Sequence, residues 1–162
     1  MKKLDDVLFQ ELIEKAEQSE RKRSHHCFHT EHSDPVQRMC IGLKKGTYVR
    51  PHFHGQTNKW EMLLVLKGQM ALVVFDQAGS VIEKLSLSPN QPIMGTELPE
   101  NTWHSIYPET EDVIILELKP GPFTPAQESD FAAWAPKECE QGVSEFMAWL
   151  ESAKLGQRYL AD

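Results

Sequence analysis

At 162 residues with a formal charge of -7, the chain is long enough for one well-buried core and too short for two, so one domain is expected. Its Lys and Arg are scattered, and without a concentrated basic patch neither nucleic acid nor an acidic membrane surface is an expected partner; a small-molecule ligand is. No apolar run approaches the ~20 residues a bilayer requires, acids interrupt the N-terminal "MKKLDDVLFQELIEK", and Cys27, Cys40 and Cys139 lack paired spacing, so a cytoplasmic protein with reduced thiols is expected.

Residues 4–22 place Leu4, Val7, Leu8, Leu12 and Ile13 at near-helical spacing with charges between them, which predicts an amphipathic helix. From about residue 36 to 118 the texture changes to short Val, Ile and Leu runs broken by Gly, Pro and Asn. The candidate strands are "VQRMCIGL", "TYVRPHFH", "WEMLLVLKG", "QMALVVFD", "SVIEKLSL", "TWHSIY" and "DVIILELK". "DQAG" reads as a hairpin turn, and Gly46 and Gly68 fall at strand junctions. After "KPGPFTPAQ" a second helix is expected between residues 140 and 154, with Phe146, Trp149 and Leu150 on its apolar face. The expected division of residues 1–162 is an N-terminal helix within 1–24, a β-barrel over 25–120, and a Pro-rich segment and helix over 121–162.

If "TYVRPHFH" is a strand, alternation puts Tyr48, Arg50, His52 and His54 on one face and Val49, Pro51 and Phe53 on the other. Glu61 opens an apolar strand and shares a face with Leu63 and Val65, so its carboxylate needs a cationic partner, either a metal or Arg50. His104 follows a proline turn on a later strand and is a third imidazole for the same place. Three imidazoles and a carboxylate suit a mononuclear divalent ion with open positions.

Arg38 and Arg50 are candidates for binding a carboxylate or phosphate of the substrate, because a guanidinium presents a planar fork; an ion pair with Asp34 is the alternative for Arg38. Tyr48 is a candidate acid or base beside the metal, or else a capped hydroxyl. Glu117 in "ILELK" is either an interior acid or an edge-strand charge. In "SHHCFHTEH", His25, His26, His29 and His32 are expected to hydrogen-bond or face solvent, with His29 or His26 reaching substrate if the segment crosses the barrel mouth. Phe123, Phe131, Trp134, Trp60 and Trp103 are assigned to packing.

Gly46, five residues, His52-x-His54, then Glu61, six residues, Gly68 resembles the first motif of the cupin superfamily, and Pro99-x-Asn101-x-x-His104 resembles its second. The resemblance implies an all-β fold, a double-stranded β-helix or jelly-roll barrel, here with flanking N- and C-terminal α-helices. It also implies metal roles for His52, His54, Glu61 and His104. The gap from His54 to Glu61 is longer than the family's usual one, and Asn101 and Pro108 stand where Gly and Asn are typical. Gln56, or three histidines alone, therefore remain alternatives to Glu61. "DPVQRMC", "GTYVRPHFH", "KWE", "LPENTWHSI", "KPGPFTP" and "DFAAWAP" resemble WbuC-type cupin metalloproteins, which implies a surface-polysaccharide (O-antigen) setting.

The expected function is a metal-dependent enzyme acting on a small polar metabolite such as a sugar or sugar nucleotide, by isomerisation or epimerisation, with one Fe, Mn, Ni or Zn ion. An Fe(II) dioxygenase, a non-catalytic metal-containing binding module and a metal-free epimerase are the alternatives. A homodimer is expected to pair through sheet edges or an outer face carrying Val49 and Phe53.

Overall fold

The computed structural model describes residues 1–160; the last two residues of the expected 121–162 segment lie outside the described residues. The chain runs through α1 (Asp6–Gln18), β1 (Arg23–Cys27), β2 (Val36–Lys44), β3 (Glu61–Lys67), β4 (Met70–Phe75), β5 (Val81–Leu87), β6 (Gly95–Leu98), β7 (Trp103–Pro108), β8 (Asp112–Pro120) and α2 (Val143–Ser152). Two antiparallel sheets, ordered β1-β2-β8-β3-β6 and β5-β4-β7, form the jelly roll that the sequence motifs implied.

Alternation along the strands divides the apolar side chains between three places. Ile41, Leu43, Leu63, Val65, Leu72, Val74, Ile106 and Ile115 fill the space between the sheets. The opposite face of the three-stranded sheet, with Ala71, Val73 and Phe75, packs under α2 through Phe146 and Leu150. The opposite face of the five-stranded sheet receives Leu12 and Ile13 of α1 on Cys40 and Ile114. β4 is consequently buried along its whole length, the outcome of covering an antiparallel sheet on both sides.

The Asp5 side chain caps α1 by accepting from the Leu8 amide at 3.1 Å, and the helix is shorter than the expected 4–22. Its buried face is Leu12, Ile13 and Ala16, while Leu4 and Val7 are exposed. Gly42 permits the close approach, because a Cβ there would stand 2.9 Å from the Leu12 backbone.

"TYVRPHFH" is not a strand. Residues 47–60 run irregularly between β2 and β3, touching the sheets through isolated bridges from His52 to His104 and to Phe131. Pro51 offers no N–H to a ladder, which helps explain why pairing does not spread from His52. Strict alternation fails with it. Val49 packs on the inner core, Tyr48 packs with Phe146 on the outside, and Phe53 stacks on Trp103 at 4.4 Å between centroids, so Val49 and Phe53 share no outer face. β1 and β6 are elements that the apolar texture did not mark.

Phe146 is fully buried and meets Tyr48, Trp149 and Tyr159 at centroid distances of 5.7, 5.4 and 4.9 Å. Phe146→Ala is expected to cost about 3–5 kcal/mol, read as a lower urea midpoint with little change in the denaturant slope.

Candidate metal centre

His52 and His104 form a backbone pair, each amide donating to the other's carbonyl at 2.9 Å, which sets their rings 4.4 Å apart. The Asn101 amide donates to the His54 carbonyl at 3.0 Å and ties that residue to the turn before β7. Glu61, the first residue of β3, points inward with Leu63 and Val65, all three buried. One ligand atom from each of His52, His54, Glu61 and His104 lies within 4.8 Å of the others.

The protons on these groups follow from their outer partners. His52 Nδ1 lies 3.0 Å from the Arg50 carbonyl and His104 Nδ1 lies 2.9 Å from the Thr102 carbonyl. A carbonyl only accepts, so both Nδ1 atoms carry hydrogen and both Nε2 atoms present lone pairs to the cluster. His104 Nε2 nevertheless stands 3.0 Å from Glu61 Oε2, and His54 Nε2 stands 3.4 Å from Glu61 Oε1 without an aligned hydrogen bond, buried and unpartnered. Acceptors face acceptors, an arrangement that calls for either an extra proton or a metal ion among them.

Burial holds the His52 imidazole down at about 3, with the neighbouring His104 adding to the effect, so it stays a neutral donor. Burial works against charge on His104 as well, but the Glu61 hydrogen bond and charge prevail and raise it. Glu61 is held well below the usual carboxylate range: burial opposes this, and the close imidazoles of His104 and His54 outweigh it. Three imidazoles and one ionised carboxylate fit a divalent transition ion. Gln56 is exposed and lines the adjoining groove rather than the cavity that holds the four donors.

The donors line a cavity of about 250 Å³ whose other walls include Ile41, Leu43, Val49, Leu63, Ile106 and Phe131. Two charged groups that complete its polar end come from β8. Glu117, read from sequence as either interior or edge, is interior, and burial together with the charge of Glu61 pushes it up to about 7. Lys119, which sequence reading missed, lies 2.7 Å from Glu117 Oε1 at an angle outside that of a hydrogen bond, and 3.6 Å from Glu61 Oε1. The i, i+2 spacing of Glu117 and Lys119 on a strand was the available signal. Burial opposes the charge of Lys119, but Glu117 and Glu61 hold its ammonium above the ordinary value. A groove of about 360 Å³ joins the cavity, the two sharing His54, Lys119 and Ala126.

Several candidate residues sit elsewhere or are occupied. The Tyr48 hydroxyl donates to the Pro136 carbonyl at 2.7 Å and does not line the cavity; burial raises its ionisation further. Arg50 reaches the cavity wall, but its guanidinium donates to Glu128 at 3.0 Å and to the Ala132 carbonyl at 2.8 Å, over the Phe131 ring. It pairs with neither Glu61 nor open space. Arg38 lies 3.5 Å from Asp34, the ion-pair alternative, away from the cavity. His29 is buried with Nδ1 accepting from the Arg38 amide at 3.1 Å, so it extends the strand pairing and does not line the donor cavity. His26 stacks on Phe28 and His32 on Phe123. His25 is the member of that run on the cavity wall; the residue as a whole is exposed, and partial desolvation of its ring and then the charge of Arg23 lower it.

The far end of the cavity is closed by Glu138, which pairs with Arg23 and with Arg21 at 2.7 Å. Burial pushes its carboxyl up, and the hydrogen bonds from the two arginines overcome this and hold it below 4.5. A carboxylate lowered on folding stabilises above its unfolded value, and the contribution disappears as pH falls through the folded one. Glu138→Gln is therefore expected to be about 1–3 kcal/mol less stable than wild type at neutral pH, with the difference closing in acid, measured by denaturant titration at both. Arg50→Lys keeps the charge but loses the fork; a stability loss of about 1–2 kcal/mol with unchanged metal content is expected from thermal melting beside elemental analysis.

The family model described as a domain of unknown function (DUF6016) matches residues 4–87, a span that includes His52, His54 and Glu61. No curated protein matches the sequence. Among solved structures, TT1209 from Thermus thermophilus aligns with a TM-score of 0.54 at 16% identity, over 74% of this chain and 97% of that one. The DMSP lyase DddQ from Ruegeria pomeroyi DSS-3 gives a TM-score of 0.50 at 18% identity over 64% of this chain, which spans 49% of the lyase. A cupin superfamily protein from Desulfitobacterium hafniense DCB-2 is 17% identical over 60% of this chain and 76% of its own, with a TM-score of 0.48. At these identities the likeness is one of fold. With more than half its length matched by that one family model, the chain belongs to the DUF6016 family.

Proposed function

We propose that the chain is a mononuclear metal-dependent enzyme acting on a small polar metabolite, with His52, His54, Glu61 and His104 as the ligands of one Fe, Mn, Ni or Zn ion. The observation that carries this reading is the meeting of bare Nε2 atoms and a buried carboxylate at the end of a cavity reached from a groove. The ion would supply Lewis-acid polarisation of a carbonyl or hydroxyl oxygen. Around it, the Arg50 and Thr102 carbonyls fix the imidazole tautomers, and Glu117 and Lys119 offer groups able to take or give a proton.

Those two additional ionisable groups favour an enzyme over a non-catalytic binding module, because a metal that only holds structure needs its ligands and nothing further. An isomerase or epimerase uses such proton-handling groups directly, and a dioxygenase is the second enzyme reading that the same donor set supports. The WbuC-type resemblance supports a surface-polysaccharide setting for the reaction.

Elemental analysis of untagged protein purified without chelator tests the reading. About one equivalent of a transition metal is expected, with loss in His52→Ala and reduced retention in Glu61→Gln while circular dichroism keeps the β-sheet signature. A wild type that holds no metal and takes up none on incubation with Fe, Mn, Ni or Zn overturns it.

A further inference from the structure

β3 and β8 lie side by side in the five-stranded sheet. Leu63, Val65, Val113 and Ile115 point into the core. Alternation turns Met62, Leu64 and Leu66 of β3 and Ile114, Leu116 and Leu118 of β8 to the outer face. An antiparallel sheet whose outer face meets water carries polar residues at such positions, so six apolar ones imply a cover. α1 supplies half of it: Leu66 and Ile114 join Leu12 and Ile13 of the helix in one cluster. Met62, Leu64, Leu116 and Leu118 belong to no packed cluster of the described residues; Met62 is 36% exposed and the three leucines are only partly buried.

The charges flanking this bare stretch identify what fits over it. Strand pairing sets Arg38 of β2 opposite Leu118, Leu118 opposite Met62, and Met62 opposite Glu97 of β6, so one line across four strands reads positive, apolar, apolar, negative. The line spans three strand spacings, ~14 Å. A second copy laid face to face, turned about a two-fold axis parallel to the strands and midway between β8 and β3, reverses the line. The apolar centres then meet, and Arg38 of each copy stands over Glu97 of the other. A two-fold axis along the line would set Arg38 over Arg38, so the charges select the first arrangement. Both groups have capacity left for such a pair. Asp34 meets one terminal nitrogen of Arg38 at 3.5 Å, Nε is buried without a hydrogen-bond partner, and 42% of the side chain is exposed, as is Glu97. Stacked sheets lie about 10 Å apart, within the combined reach of an arginine and a glutamate.

We infer that this face is the interface of a homodimer, an isologous stack of two five-stranded sheets with Met62, Leu64, Leu116 and Leu118 at its centre and an ion pair between Arg38 and Glu97 at each end. It takes the place of the outer face of Val49 and Phe53 expected from the sequence. The inference is independent of the metal reading, because Glu61 lies on the inner face of β3 and takes no part in the contact.

Sedimentation velocity with light scattering on untagged protein at ~100 µM, where a pair of micromolar affinity is largely assembled, is expected to give twice the 18.6 kDa chain mass. Met62→Lys, at a position exposed in the single chain, is expected to give the monomer mass with the circular dichroism of wild type. Arg38→Glu and Glu97→Arg are each expected to weaken pairing about tenfold or more, because either one turns two ion pairs of the dimer repulsive. The two substitutions combined in one chain are expected to restore it. The charge variants remove no apolar contact, so they decide the matter even where Met62→Lys fails to fold. A monomeric wild type overturns the inference, and so does a dimer that persists unchanged in a folded Met62→Lys, which would place the pairing at a sheet edge or another face. A doubly substituted protein that pairs no more tightly than the single variants overturns it as well.

Discussion

Lone pairs that face one another in a buried volume repel, and the interior of this barrel is arranged around such a meeting. His52 and His104 have committed their Nδ1 hydrogens to backbone carbonyls, so their Nε2 atoms and the Glu61 carboxylate converge as acceptors, with the orphaned Nε2 of His54 beside them. Removal of those groups from water has to be offset by a positive charge at the centre, by a proton on His104 or by a metal. The remainder of the architecture keeps that geometry in place. The reciprocal amide bonds between residues 52 and 104 set two rings, the Asn101 amide anchors a third, and the apolar neighbours of Glu61 on β3 hold its carboxylate inward.

Rigidity at the donors comes from packing on both sides of both sheets. α1 closes on β2 tightly enough that residue 42 has no room for a side chain, and α2 covers β4 from outside. A jelly roll with one wet face on each sheet would leave β4 half exposed; here it is buried throughout. Interior density of this kind limits the rotamers open to inward-pointing residues, which is how a frame of aliphatic side chains comes to aim imidazoles.

Much of this was legible in the chain because it rests on local periodicity. The short runs of Val, Ile and Leu in β3, β4, β5 and β8 are strong strand signals, and the His52-x-His54 pair and His104 announce themselves by residue type. The misreadings share a cause in long-range geometry. Residues 47–54 alternate like a strand, yet Pro51 prevents a ladder and the segment takes its shape from His104 and Phe131, more than fifty positions away. Arg50 was read toward an anionic substrate, with Glu61 as the alternative, whereas its partner Glu128 lies in a later turn that no local pattern connects to it. Lys119 reads as a solvated strand end, and only the chain that follows makes it part of an interior wall. β6, with Gly95, Thr96 and Glu97, carries too little apolar signal to stand out, although β3 pairs with it residue by residue.

The segment after β8 gives the molecule a division of labour. Every donor of the candidate metal centre precedes residue 105, while Ala126, Phe131 and Glu138, which wall the cavity at its mouth and far end, all follow residue 120. The donors that would retain an ion and one part of the cavity wall are thus written in separate stretches of chain. Sequence drift in the proline-rich stretch is free to remodel the chamber while the donors stay fixed, so relatives that share the histidines need not share a ligand.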